Sequence, residues 1–503
     1  MTRIAPDLLV GDIVRHAARA TPQALAATLG DEEITFAALD ARSSQVARAL
    51  SARGVGVGDR VAWWGETSLD AMSIFNALAR LGAAFMPVNA RLGSDEAADV
   101  LEYAKPQLLL ADEPHAALAV GWDLAPVTHA ELFAAADREE AIDAGNPDGL
   151  DEASTHVVFF TSGSTGRPKG VVLSHRTSWL RSFQGNLSDH SGGTVCMFPL
   201  FHMSGWSMTV NAWQTRCPVH FATTPDAPTL LGTAERRRAT RLYHIPAVWQ
   251  RVLEADPSAY DLSTVRECDT GTSATPPELL AAVKDAFPDT VTRIYYGSTE
   301  VGLAAMLADL DITRKPGSVG PAAVGVSLAL VGGDGARTER EGEVCVRSPV
   351  LMDGYFEHPE ANAEAHAPIE PDGRPWYHTG DLGVLDDEGY LSIVGRARDV
   401  MRSGGETVAP TEVEAVLADH PDIAEVAVVG LPSTEWGEVI TAVVVARDDS
   451  AAPTLEALRA HCDGRLARFK QPRRVEAVDA LPRTAATGQI QRTLLVERLR
   501  DRS

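Results

Sequence analysis

The stretch Thr161-Ser162-Gly163-Ser164-Thr165-Gly166-Arg167-Pro168-Lys169-Gly170 concentrates groups that grip an anion. Glycines let the main chain approach closely, hydroxyls donate to phosphate oxygens, and Lys169 brings charge. A Walker A loop is excluded, because Pro168 precedes Lys169 and an apolar run, VVL, follows where a helix would be needed. The lysine itself is informative. Only Lys105, Lys169, Lys284, Lys315 and Lys470 are lysines among 45 basic residues. A chain that otherwise writes arginine makes each lysine a candidate for special geometry. Other residues are mute when taken singly. Asp381 in TGD reads as a turn residue, Glu300 as an acid at a helix start, and His202 as a satisfied core histidine. Near the C-terminus, LPRTAATGQIQRTLL places the neutral amide of Gln489 after a Thr487-Gly488 turn, inside an otherwise basic stretch.

Elements that could position these groups are visible in the periodicity. EITFAALDARSSQVARALSARG reads as a strand and an amphipathic helix ended by Gly54, and AMSIFNALARLG as a helix closed by Gly82. RVAWWG and QLLLAD read as buried strands. Strands alternating with helices favour parallel sheets covered by helices, and RLYHIP, VTRIYYG and GEVCVRS continue the pattern to about residue 395. The style then changes. A capping box, Thr411-x-x-Glu414, opens TEVEAVLADHP; strands EVAVVG and ITAVVVA follow, then a helical stretch at 454–467. The expected architecture is α/β, with a large N-terminal domain at 1–395 and a small α/β domain at 396–503.

Composition narrows the function classes. The chain has 503 residues, 45% hydrophobic and 23% charged, so it can build more than one folded core. A net charge of −24 disfavours nucleic acid or an anionic membrane as a general partner. No apolar run reaches the roughly 18 residues of a membrane span, and the N-terminal segment does not read as a signal peptide. Cys196, Cys217, Cys268, Cys345 and Cys462 lack C-x-x-C spacing, which favours reduced thiols and a cytoplasmic location.

FTSGSTGRPKG resembles the signature loop of the adenylate-forming superfamily, which includes acyl-CoA synthetases, peptide-synthetase adenylation domains and luciferases. PLFHMSGW (199–206), YYGSTEVG (295–302), YHTGDLG (377–383) and GRARDVMRSGGETVAP (395–410) resemble further motifs in that family's order. The resemblance implies a two-domain enzyme with a mobile C-terminal domain. It implies ATP or AMP, Mg²⁺ and coenzyme A as ligands, a carboxylic acid as substrate, and an acyl-adenylate between two half-reactions. The apolar and aromatic run LYHIPAVWQRVLE suggests a hydrophobic acyl or aryl group rather than a small dicarboxylate. The resemblance also carries residue roles. It assigns Thr161, Ser162, Gly163, Ser164, Thr165, Gly166 and Lys169 to the phosphates, Thr299 to the α-phosphate and Glu300 to the metal. Gly271, Thr272, Ser273, Tyr295, Tyr296, Gly297 and Ser298 complete the nucleotide-binding set, with Asp381 and Arg396 at the ribose. His202 and Trp206, with Gly271, Thr272 and Gly297, would line the acyl channel. Ser403, Gly404, Gly405 and Glu406 would meet coenzyme A, and Arg398 marks the hinge. His202 and Gln489 join Thr161, Lys169, Thr299 and Glu300 as the residues expected at the chemistry.

Two departures stand out. Where relatives usually have two adjacent glycines, the second is Thr272, whose side chain should narrow or reshape the acyl slot. Relatives end roughly P-[RK]-x-x-x-G-K, and here Gln489 replaces the ammonium, with one extra residue before Gly488. An amide donates a hydrogen bond but cannot neutralise charge, so impaired adenylation is expected. One alternative is a non-adenylating enzyme that turns acyl-AMP from a partner adenylating enzyme, plus coenzyme A, into acyl-CoA. Substitution by Arg483 or Arg492 is another. A domain charging a carrier protein and an acyl-AMP-binding pseudoenzyme remain as rivals. A homodimer is compatible with the chain.

Overall fold

The computed structural model describes residues 7–161, 169–183, 192–369, 374–403, 406–433, 436–447, 451–483 and 489–500. They form two compact units. The first comprises Met1–Gly317, Ala323–Ser327 and Arg347–His366; the second comprises Ser318–Ala322, Leu328–Val346 and Ala367–Ser503.

The first unit is built on an eight-stranded and a seven-stranded sheet. Each has a parallel interior. Val291–Ser298, Glu267–Gly271, Arg241–Tyr243 and Thr194–Cys196 are parallel neighbours in one sheet; Thr155–Thr161, Ala84–Val88 and Arg60–Trp64 are parallel neighbours in the other. Such strands are covered on both faces, which is why Val61, Ala62, Trp63 and Trp64 are all buried in succession. Helix Leu69–Leu81 starts where the Ser68 hydroxyl accepts from the Ala71 amide and stops at left-handed Gly82. Nearly every position of that helix is buried, and Phe75 packs on Phe85, His156, Trp206 and Trp213. RVAWWG, QLLLAD, RLYHIP and VTRIYYG all supply strands as their patterns predict.

The second unit is different. Arg337–Thr338, Ser327–Val331, Glu341–Arg347, Tyr377–Leu385 and Leu391–Arg396 form a five-stranded sheet; the first two strands pair antiparallel, as do Glu341–Arg347 with Tyr377–Leu385 and Tyr377–Leu385 with Leu391–Arg396. The expectation of helix-covered parallel strands up to residue 395 therefore fails here, and most of 318–395 groups with the C-terminal sheet rather than with the first unit. Short strands joined by tight turns such as Asp386–Gly389 carry the antiparallel signature. In the C-terminal sheet the long hairpin Ile423–Ser433 and Gly437–Ala446 is buried on both faces. Val428, Ile440 and Val444 pack on helices Pro410–Leu417 and Leu455–Cys462; Ala427, Val429 and Val443 pack on helix Arg492–Arg500.

The expected capping box is absent. Pro410 occupies the first helical position and Ala409 the N-cap, so Thr411 lies inside the helix and its hydroxyl donates to the Val394 carbonyl. Glu414 instead accepts from the Val428 amide at 2.7 Å and pairs with Arg492. Five cysteines are buried and free. Among the described residues no helix is long and apolar enough to cross a membrane.

Candidate active site

Three groups of expected site residues can be followed within the first unit. Thr161 ends one strand and faces Lys169, which begins the antiparallel next one, with the Thr161 hydroxyl donating to the Lys169 carbonyl at 3.4 Å. Ser162, Gly163, Ser164, Thr165 and Gly166 lie outside the described residues, so only the two ends of the phosphate loop can be placed. The Lys169 ammonium sits 4.9 Å from the centre of the Tyr355 ring. The Tyr355 hydroxyl donates to Glu300 Oε1 at 3.3 Å, so one tyrosine touches both the loop lysine and the expected metal ligand.

Thr299 and Glu300 form the tip between strands Val291–Ser298 and Gly302–Leu307. The turn is tight. Ser298 Oγ accepts from the Val301 amide at 3.2 Å, and a Cβ on Gly297 would lie 1.9 Å from the Gly302 carbonyl oxygen. Only glycine fits at 297. Glu300 suits a magnesium ion by its donor set. No described residue donates to its second carboxylate oxygen, and a hard cation of this kind takes one or two carboxylates beside phosphate and water oxygens.

The acyl-lining candidates divide. Gly271 lies where a Cβ would be 2.5 Å from the Tyr295 carbonyl and 2.6 Å from the Tyr243 hydroxyl. Tyr243 continues an aromatic run from Tyr295 at 5.9 Å to Phe198 at 5.8 Å, and Phe198 stacks on His202 at 5.6 Å. Below the two tyrosines the same sheet buries Arg241 and Arg293 against Glu267 and Asp269, so this aromatic layer rests on an ion-paired floor. Thr272 adopts φ +70°, a glycine conformation held by a β-branched residue, while Ser273 is exposed. His202 caps helix Met203–Gln214: its Nδ1 accepts from the Ser204 amide at 3.1 Å, which puts the proton of the neutral ring on Nε2. Burial lowers its pKa to about 4, so the ring is neutral near pH 7. Trp206 is a correction to the expected lining. It is 1% exposed and packs on Phe75, His156 and Phe159, because its place one turn into the helix faces the core. Tyr296 lies between Tyr295 and Gly297 on the strand, half-buried.

In the second unit Asp381 and Arg396 face each other across neighbouring strands, with Arg396 Nε 2.6 Å from Asp381 Oδ1. Asp381 is buried and Arg396 is partly exposed. Ser403 is buried at the end of strand Met401–Ser403 and pairs in register with Glu406. Gly404, Gly405 and the side chains of Arg398 and Glu406 lie outside the described residues; Arg398 belongs to the short turn Ala397–Asp399. Gln489 is exposed, one residue before Ile490, which bridges to Arg483. Both neighbouring cations are engaged: Arg483 pairs with Glu425 at 2.8 Å, and Arg492 with Glu414 at 2.7 Å and Asp399 at 3.6 Å.

Residues 14–356 match the model of the AMP-binding enzyme, and 412–487 match that of the AMP-binding enzyme C-terminal domain. The chain belongs to this family. As an AMP-binding, adenylate-forming enzyme it is of the acyl-CoA ligase type. It is 31% identical to a long-chain fatty acid–CoA ligase of Mycobacterium tuberculosis, over 97% of this chain and 98% of that protein. It is 34% identical to an indoleacetate–CoA ligase of Aromatoleum aromaticum, covering 94% of each, and 34% identical to a feruloyl-CoA synthase of an Amycolatopsis species, covering 94% and 95%. Among solved structures, o-succinylbenzoate–CoA synthetase of Bacillus subtilis, in complex with its acyl-adenylate intermediate, has a TM-score of 0.86 at 27% identity over 98% of both chains. ATP-bound MatB of Rhodopseudomonas palustris has a TM-score of 0.87 at 28% identity over 98% and 99%.

Two residues in contact with the expected site residues are not foreshadowed by any motif. Tyr355 touches Lys169 and Glu300, and Arg181 holds the main chain at Thr299 and Glu300. The Gly-Tyr pair at 354–355 and the second of two arginines within HRTSWLRSF are their traces in the sequence.

Proposed function

We propose that the chain joins a hydrophobic or aryl carboxylic acid to coenzyme A through an acyl-adenylate, with the first half-reaction slowed by Gln489. In that step the acid's carboxylate oxygen attacks the α-phosphorus of ATP and pyrophosphate leaves. In the second, the thiol sulfur attacks the acyl carbonyl carbon and AMP leaves. The observation that carries this reading is the linkage of Lys169 and Glu300 through Tyr355, which puts a phosphate-type cation and a carboxylate beside one another in one unit. The loop from Thr161 through Lys169 would hold the β- and γ-phosphates, Thr299 the α-phosphate, and Asp381 with Arg396 the ribose. Glu300 would hold Mg²⁺, which when bound neutralises phosphate charge. Ser403, Gly404, Gly405 and Glu406 would present thin backbone to coenzyme A, with the junction at Arg396–Arg398 as the hinge. The aromatic run of Phe198, Tyr243 and Tyr295 supports a hydrophobic or aryl acyl group, as do the fatty, indole and feruloyl acids in the relatives' names.

A second reading has its own support. Arg483 and Arg492, the cations flanking Gln489, are tied to acids, so neither is a ready replacement for a tail lysine. An enzyme without that cation would carry out the thioester step alone, on acyl-AMP made by a partner. Two assays over a panel of acids separate the readings. Pyrophosphate release from acid and ATP supports the complete ligase; thioester from synthetic acyl-AMP and coenzyme A, without that release, supports the half-enzyme. Neither product would refute both.

A further inference from the structure

Glu300 is gripped at both ends by side chains to which the chemistry above gives no part. Arg181, on helix His175–Phe183, is buried, and among the described residues its guanidinium meets no carboxylate at hydrogen-bond distance. Instead Nε donates to the Val350 carbonyl at 2.8 Å, Nη1 to that of Thr299 at 2.8 Å and Nη2 to that of Glu300 at 3.0 Å. A buried cation without a bonded anion is costly, so its retention needs a reason beyond packing. The planar fork supplies one, since it can fix several acceptors at once where an ammonium cannot. Gly302, at φ +71°, lets the turn close on it, and a Cβ there would lie 3.1 Å from Arg181 Nε. At the other end, the Tyr355 hydroxyl donates to Glu300 Oε1 at 3.3 Å. Tyr355 is itself fixed by Asn362, which accepts from its amide at 2.6 Å and donates to its carbonyl at 3.0 Å.

We propose that Arg181 and Tyr355 are positioning residues for the magnesium-binding carboxylate, Arg181 setting the main chain at Thr299–Glu300 and Tyr355 setting the rotamer of Glu300. The inference rests on the proposed role of Glu300. A carboxylate held at both ends is presented to the metal–nucleotide complex without reordering, which is where preorganisation acts. Burial lowers the Arg181 pKa to about 10, so the guanidinium stays charged at neutral pH and its hold does not vary between pH 6 and 8.

The test uses the full chain with ATP and no acid, reading the ATP-induced rise in melting temperature as Mg²⁺ is titrated. Tyr355→Phe removes one hydroxyl and should melt like the wild type without ligand. It should need about tenfold more Mg²⁺ for half-maximal stabilisation by ATP, the loss expected for a hydrogen bond to a charged group. Arg181→Lys keeps charge but loses the fork, and should shift the same Mg²⁺ midpoint upward by at least as much. Pyrophosphate release at saturating Mg²⁺ should recover toward the wild-type rate in Tyr355→Phe, with KM for the acid unchanged. If Arg181→Lys does not fold, Tyr355→Phe alone decides. A wild-type Mg²⁺ midpoint in folded variants, or lost activity with an unshifted midpoint, overturns the inference. A wild type that gains no Mg²⁺-dependent stabilisation from ATP instead removes the reading of Glu300 on which it rests.

Discussion

Two arginine-bearing corners, one in each compact unit, handle charge in opposite ways. Beside Thr299 and Glu300, Arg181 is buried and held by three carbonyl oxygens, with its charge set against a turn the chemistry would use. Near Gln489 in the sequence, Arg483 is consumed by Glu425 on the strand hairpin, and Arg492 by Glu414 on helix Pro410–Leu417 and by Asp399. The first unit fixes its cation against the main chain of the Thr299–Glu300 turn. The second uses its cations for cohesion and leaves a neutral amide at the tail. A count of charges would call both corners basic; only their partners distinguish them.

Breaking the first corner should have the largest effect. Glu300→Gln removes the carboxylate proposed for Mg²⁺ and should lower pyrophosphate release by roughly 10²–10³ or more, the scale of losing one preorganised group, while thioester formation from supplied acyl-AMP falls far less. Equal losses in both half-reactions would refute the division of labour.

Acid should separate the units next. Burial lowers His175, His202 and His220 to about 4 and His244 to about 3, and pushes His156 well down; all lie in the first unit. These rings are neutral when folded and gain a proton only on unfolding once pH drops below about 6.5, so stability is lost as pH falls from there toward 4. Each ring costs about 1.4 kcal/mol for every tenfold by which burial weakens its hold on a proton. His378, in the second unit, is raised by its hydrogen bond to Glu343. That contribution is complete below about 6.5 and fades as pH rises through the folded value. Melting curves between pH 7 and 5 should show the first unit weakening while the second holds. A first unit indifferent to pH above 4.5 would contradict this.

The tail arginine offers a smaller contrast. Arg492→Met should cost about 1–3 kcal/mol of second-unit stability, since Glu414 keeps only the Val428 amide, and should leave pyrophosphate release per folded molecule unchanged. A large specific loss of that step would show Arg492 at the chemistry. Smallest of all, Thr272→Gly relieves a left-handed β-branched residue, stabilising the first unit by up to about 1 kcal/mol and widening the range of acids turned over. A lower melting temperature would count against strain at that position.

Motifs carried within a few residues were legible in the sequence. The Thr299–Glu300 turn and the strand carrying Asp381 stand where contiguous motifs put them, and Gly297 and Gly271 sit where a Cβ would strike backbone; of the phosphate loop only Thr161 and Lys169 are placed. The partners of Arg181 lie 118 to 169 residues away, and no local pattern announces such a contact. Trp206 misled because an aromatic at one helical face looks the same whether it lines a channel or fills a core. The capping box failed because Pro410 claimed the helix start and Thr411 found the Val394 carbonyl. The antiparallel sheet was missed because its short strands share the apolar content of parallel ones, and the distinction lies in the connections.

On the proposed reading, the Thr299–Glu300 turn keeps its charged groups while the tail has Gln489 in place of a lysine. Single-turnover rates of the two half-reactions in the wild type and in Gln489→Lys test this directly, using an acid chosen by turnover of its acyl-AMP. The lysine should raise pyrophosphate release by about 10²–10³ and leave the thioester step within about twofold. Wild-type pyrophosphate release already as fast as the thioester step, and unmoved by the lysine, would contradict it.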